Sequence, residues 1–455
     1  MQLKRNGIAS ALGLLAANLL SAGPALAQDN GDPASGDSAD ERINAYDETA
    51  SEVGTTVVDS AVLVYRESGH RVRAVEPVIS VVHNASNGDI YSAKFTYDTL
   101  TGASPNGATP SIYPQTFITP IQTEPGPPDG QLAVTGASGT FIAPARKLPI
   151  DSGFKDRRKA IDLGYSTQIA PDARFSVGVD GSKESDYRSI SGRFGVTSDF
   201  NNKNTVVALG VNYEHDVSKP IFGTPVPLGS MGDSTGEKSR VKNVYSAVIG
   251  VTQVMTPEWL VQLNYSYGRS TGYHNDPYKL VSLINSADGT PFWYIYESRP
   301  EKRIRQSVYL GTKFAVGSIV TDASARLYHD SWGIDSVTFE LSQRLPVGRD
   351  FFIEPGVRYY HQTAAKFFRH YLTLEEPTPD YVSADSRLGK FSAVTFGVKF
   401  GGKITDNLEF YGMFERYRQY GKSYYSDAPG ALSRLDLFGG MKATSMIAGL
   451  KVTFR

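Results

Sequence analysis

The sequence predicts an all-β transmembrane barrel, up-and-down and antiparallel, of about sixteen strands. Three observations predict it. Segments of ~10 residues that alternate apolar and polar side chains recur from residue 57 to the C-terminus. The connections between them alternate between short, turn-like pieces and long ones, as in barrels with short turns at one rim and loops at the other. After the N-terminal segment no run of ~18 apolar residues is present, so no helix spans a bilayer.

The N-terminus comes first. Lys4 and Arg5 precede an apolar segment from Ile8 to Leu20, and Ala25-Leu26-Ala27 supplies the small-x-small pattern of a signal-peptidase site. Residues 1–27 are therefore expected to be a signal peptide. Residues 28–56 carry Asp29, Asp32, Asp37 and Asp40 with few apolar side chains, the composition of a flexible acidic lead. That lead is expected in the periplasm, and the barrel occupies residues 57–455.

Strands are expected at 57–67, 71–83, 89–100, 157–169, 173–183, 187–198, 204–215, 241–254, 259–270, 303–315, 319–330, 336–345, 351–362, 391–401, 408–419 and 444–454. NASNGD, APDA, DFNNK, MTPE, AVGS, LPVGRD and GGKITDN follow the even strands as short turns. The long connections, 101–156, 216–240, 271–302, 363–390 and 420–443, all follow odd strands. An even count puts both termini in the periplasm and the long loops, 101–156 above all, outside the cell. In the third strand Tyr91, Ala93, Phe95 and Tyr97 share one face, which must meet lipid. The 26 Tyr and 22 Phe suit aromatic girdles at the two interfaces. In the last strand Ala448, Leu450, Val452 and Phe454 share a face, resembling the C-terminal signal read by the barrel-assembly machinery, although the chain ends Phe454-Arg455.

Composition excludes other classes. A net charge of -1 gives no field for nucleic acid. With no cysteine there are no disulfides, thiolate metal sites, iron–sulfur clusters or covalently attached haem. His83, His361 and His370 lack metal-ligand spacing, and GASPNGA at 102–108 lacks the lysine and helix of a phosphate loop. No cofactor and no metal are expected.

Several phrases carry a family resemblance: VEPVISVVH at 75–83, YDTLTGASPNGATP at 97–110, TPVPLGSMG at 224–232, GVTQV at 250–254, NYSYGRSTGYHNDPYKL at 264–280, YESRPEKR at 296–303 and DSWGID at 330–335. Together they resemble a Gram-negative outer-membrane family known only as a domain of unknown function. The resemblance implies a barrel with no established activity. Through the thioredoxin-like and flavin-transferring envelope proteins that its genes accompany, it also points to redox or metal handling, with a periplasmic protein as partner. This chain has no haem or thiol motif to carry electrons itself.

The candidate site lies on the inward face of strands 10 to 13, which carries Lys313, Asp322, Arg326, Glu340, Arg344, Glu354 and Arg358. A two-residue Gly317-Ser318 turn sets Lys313 opposite Asp322 and Tyr309 opposite Arg326. A hairpin centred on Gly333 sets Asp322 opposite Arg344 and Arg326 opposite Glu340. One centred on Arg349 sets Arg344 opposite Glu354 and Glu340 opposite Arg358, and Lys399 is expected to pair with Glu409. Such charges would cost ~2–4 kcal/mol each on the lipid face, so they must line the lumen. The expected function is a channel or transport-associated barrel in the bacterial outer membrane for small polar solutes or ions. The alternative is a plugged structural or docking barrel that binds an envelope partner. No enzyme is expected; a minor alternative, lipid hydrolysis, rests on His329 and Ser331 two apart on the lipid-facing rim, as in outer-membrane phospholipase.

Overall fold

The computed structural model describes residues 53–69, 71–117 and 141–455. The signal peptide and all but the end of the acidic lead lie outside the described residues. Each of the sixteen expected segments is a strand, and together they close one antiparallel barrel. In chain order β1 to β4 are Thr56–Glu67, Arg73–Asn84, Ile90–Thr101 and Lys155–Ala170, and β5 to β8 are Ala173–Lys183, Tyr187–Phe200, Thr205–Ser218 and Arg240–Thr256. β9 to β12 are Trp259–Gly272, Lys302–Val316, Ile319–Asp330 and Asp335–Val347; β13 to β16 are Phe351–Gln362, Phe391–Thr405, Leu408–Tyr420 and Lys442–Phe454. β16 pairs with β1 from Thr56↔Phe454 to Glu67↔Ala443, leaving no edge.

Period-2 alternation decides which side chains face out. Val62, Ile79, Tyr91, Phe95, Leu163 and Phe194 are exposed on the outer face, while their neighbours Ala61, Val78 and Thr96 are buried. Such an apolar outer band is stable only against hydrocarbon. At one rim the turns are tight. Gly317 takes φ 62° between the paired residues Val316 and Ile319, a left-handed position that costs glycine little.

At the other rim the long connections fold on one another into a cap. A small sheet at its centre orders Pro291–Tyr296, Leu280–Ile284 and Leu372–Thr373. Ala108, Phe117, Ala143, Leu280 and Tyr296 form one apolar cluster, and Ile284, Ala428, Leu432, Leu435 and Leu437 another. Both clusters join loops far apart in sequence. Leu280 N–H donates to the Asn106 carbonyl at 2.8 Å, Met231 N–H to Tyr294 at 2.9 Å, and Ala431 N–H to Asp288 at 3.0 Å. The connection after β3, residues 102–154, is thus seated in the cap by its described parts.

The outer band makes a direct prediction. Leu163→Arg, in the middle of β4 on the lipid side, should cost ~2–4 kcal/mol of folding stability in vesicles. Equilibrium denaturant titration reads it, and an unchanged midpoint would mean that this face does not meet hydrocarbon.

Candidate functional site in the barrel interior and cap

The seven residues of the expected charge ladder all project inward, but the β11–β12 register breaks the two expected rows. Lys313 Nζ meets Asp322 at 3.0 Å across the β10–β11 hairpin, and Arg326 lies 5.6 Å from the Tyr309 ring centre. Across β12–β13, Arg344 Nε meets Glu354 at 2.8 Å and Arg358 Nε meets Glu340 at 2.9 Å. These contacts follow the expected register.

The β11–β12 register does not. Asp322 lies opposite Ser342, Arg326 opposite Thr338, Glu340 opposite Ser324 and Arg344 opposite Val320, two residues from the expected pairing. The cause is the Asp330 carboxylate, whose Oδ1 accepts both the Trp332 and Ile334 N–H at 3.0 Å, moving the centre of the turn from Gly333 to Trp332. A slip of two keeps each side chain on its face, so the lumen assignment stands while the rows break. Lys399 likewise lies opposite Glu354 instead of pairing with Glu409; Lys403 takes Glu409 at 4.0 Å.

Further charges line the wall where the sequence reading named none. Arg193 on β6 reaches past Gly178 on β5 to Asp162 on β4 at 2.5 Å, with Asp180 at 3.4 Å. Gly178 leaves this path open, since a Cβ there would stand 2.5 Å from the guanidinium carbon. Arg158 faces Glu76 at 3.6 Å and Lys242 faces Asp216 at 3.3 Å. The signal was available in the inward parity of these strands, since two of the connecting turns, 171–172 and 184–186, are short enough to fix register.

Above this wall the cap holds a buried ionic network. Arg299 Nε meets Glu297 at 2.7 Å and its Nη2 meets Asp385 at 2.9 Å; Arg387 Nη2 bridges Asp385 at 2.6 Å and Asp276 at 2.9 Å. Ser383 Oγ and the Asp276 N–H both donate to Glu297. Burial opposes charge on Asp385, but Arg387, Lys279 and Arg299 outweigh it and hold its carboxyl far below the usual range. Burial instead dominates at Glu297 and pushes it up. Lys279 donates to the Pro105 carbonyl at 2.7 Å, and burial lowers its pKa. The network ties the 273–301 and 363–390 connections together, and Lys279 adds 102–117.

Two other clusters lie at the cap rim. Asp156, Glu184 and Asp186 bring three carboxylate oxygens within 4.8 Å of one another, a donor set that could hold a cation. Burial, and then Asp156, pushes Glu184 up to about 8, while Asp186 accepts the Tyr278 hydroxyl from the cap. On the outer face, His329 Nδ1 lies 2.6 Å from the Asp335 carboxylate. Ser331 Oγ accepts the Ile304 N–H at 3.0 Å, and no hydrogen bond among the described residues joins it to His329. Of the other histidines, His361 meets Ser392 Oγ at 2.8 Å and His83 meets Thr56 Oγ1 at 2.9 Å.

A family model described as protein of unknown function (DUF3570) matches residues 9–452. The chain belongs to that family. No curated protein matches it. Among solved structures it is similar to the siderophore receptor PirA from Pseudomonas aeruginosa, at 10% identity over 82% of this chain and 57% of that one, with a TM-score of 0.38. The siderophore receptor PirA from Acinetobacter baumannii gives 10% identity over 82% and 54%, TM-score 0.41. A bacterial polysaccharide outer membrane secretin gives 8% over 88% and 98%, TM-score 0.42. The DUF3570 chain thus spans little more than half the length of the two receptors, and no residue role is carried over from them.

Two measurements test the DUF3570 interior and cap. Arg358→Glu should destabilise the barrel by ~1 kcal/mol and adding Glu340→Arg should recover most of it, whereas Glu340→Arg should not rescue Arg326→Glu. Equal rescue of both would restore the Gly333-centred register. In the cap, burial holds His370 down to about 4 from 6.5, with its Nε2 3.0 Å from the Tyr425 hydroxyl. A lowered folded pKa means that the opened cap takes up the proton first. Cap stability is therefore intact above pH 6.5 and lost as pH falls towards 4. Limited proteolysis of the 363–390 connection should rise over that window, and His370→Gln should flatten the dependence.

Proposed function

We propose that this chain is an outer-membrane transport barrel for small polar solutes or ions whose passage is closed at the long-loop end by the cap in the form described here. The carrying observation is a contrast along the inward face of β10 to β13. Towards the tight turns, Lys313 and Asp322 keep 40% and 46% of their side-chain surface in solvent, and Glu340 keeps 46%. Towards the cap, Arg305 is 4% exposed, Asp330 1% and Gln362 3%. A wet, charged vestibule thus ends beneath a packed cap. The apolar outer band and the terminal strand, apolar on its outward face and reaching Phe454, support the outer membrane, with the cap outward and the tight turns in the periplasm.

Balanced charge in the vestibule favours hydrated polar solutes of either sign and gives weak ion selectivity. In this reading the side chains act by field and size, and none is assigned a chemical step. The apolar cap clusters and ionic network also suit a barrel that stays plugged and serves to dock an envelope partner. Conductance separates the two.

Refolded into planar bilayers, the intact protein should pass little current, and a variant lacking 102–154 should conduct. Asp385→Ala combined with Arg299→Ala should raise the frequency of openings without deleting any segment. Steady current from the intact protein would mean an open pore. Silence from every variant would favour the plugged docking barrel.

A further inference from the structure

The outer face at the cap end carries an arc of positive charge that no ion pair among the described residues balances. On β1 and β2, Arg66 and Arg73 are directly opposed. On β4 to β6, Lys159 is opposed to Lys183, and Lys183 to Arg188. On β15 and β16, Arg418 is opposed to Lys442. All seven side chains are exposed, and none forms an ion pair among the described residues. Arg157 and Arg416 add to the same level. The arc therefore runs from β15 through the seam to β6, interrupted only at β3, where Thr99 and Thr101 face out.

Among the described residues no carboxylate stands on the outward positions of these strands. Beside β4 to β6 the acids Asp156, Glu184 and Asp186 cluster together, and Asp186 is tied to Tyr278 of the cap. Directly opposed like charges destabilise a sheet unless a counterion sits between them. Just below the arc begins the apolar band, with Val64, Ile161, Val179 and Ile190 exposed. The arc thus stands where lipid headgroups meet the barrel. The other rim is different: outward positions of the same strands hold Tyr91, Phe175, Phe200 and Phe454, all aromatic.

We propose that this arc is a binding site for the phosphate groups of an anionic glycolipid in the leaflet at the long-loop end, with guanidinium and ammonium groups from adjacent strands converging on one phosphate. Arginine forks suit phosphate oxygens in pairs, and lysines add charge at longer reach. The proposal rests on the outer-membrane reading but not on transport, because lipid retention is measured without current.

The test reconstitutes the full-length protein in phosphatidylcholine vesicles alone, or containing diphosphorylated lipid A, its dephosphorylated form, or phosphatidylglycerol. Lipid retained after detergent extraction and the folded-to-unfolded gel transition on heating are both read. The native protein should retain phosphorylated lipid A and melt higher with it. Lys159→Gln/Lys183→Gln/Arg188→Gln should weaken retention about fivefold per charge removed. Lys302→Gln, on the outer face across the barrel, should change nothing. If the triple variant does not fold, Arg66→Gln/Arg73→Gln serves in its place. Retention unaffected by these substitutions, or equal for the dephosphorylated lipid or phosphatidylglycerol, would overturn the proposal.

Discussion

Everything in this molecule depends on the seam at which the first and last strands pair. A backbone N–H or C=O without a partner in hydrocarbon costs several kcal/mol, so a sheet in a bilayer must close on itself. Here closure joins β1 to β16 without a break from Thr56↔Phe454 to Glu67↔Ala443. With an even number of strands, both ends of the barrel chain emerge at the rim of tight turns. The longest connections then share the opposite rim, where they can fold against one another.

That closure also sorts the charges. A closed wall offers each polar side chain either the lumen or one of the two headgroup zones, because the outer midplane is apolar. Inside, opposite signs meet across neighbouring strands: Lys313 with Asp322, Glu340 with Arg358, Arg193 with Asp162 and Asp180. In the cap the pairs of Arg299 with Glu297 and Asp385 are fully buried. Their desolvation makes them weak sources of stability, so the apolar clusters around Leu280, Ile284 and Leu432 hold the cap together. The Arg299–Asp385–Arg387 network instead fixes which loops pair, since a wrong pairing would leave a buried charge without its partner.

How much of this was legible in the sequence follows from the range of each interaction. Strand number and face need only local alternation, and Phe95 or Leu163 could be assigned outward from its own neighbours. Register was legible across the turns at Gly317-Ser318 and 348–350, where chain length leaves little choice. It was not legible at 331–334, because the Asp330 side chain takes backbone groups that a turn would otherwise use. Nor was it at Lys399: β14 runs on to Thr405 and β15 resumes at Leu408, so the turn is centred two residues later than the GGKITDN segment suggests and Lys403, not Lys399, comes opposite Glu409. The cap was invisible for a stronger reason: Ala108, Tyr296 and Leu437 reach their neighbours across segments without periodicity.

Two electrostatic arrangements result, and they have opposite consequences. The lumen neutralises itself pair by pair, so its field is short-ranged, and a solute there meets both signs within a few ångströms. Under the proposed transport function, selection in such a lumen rests on size and on whether the cap is seated. The outer arc does the reverse: Arg66 faces Arg73 and Lys183 faces both Lys159 and Arg188, so its field adds. A self-balanced wall is complete without a ligand. A like-charged one is stable only if anions come from the surroundings, and at the edge of an apolar band the abundant anions are those fixed to lipids. The two faces of one strand thus carry different electrostatics, and a substitution on one should leave the other's field intact.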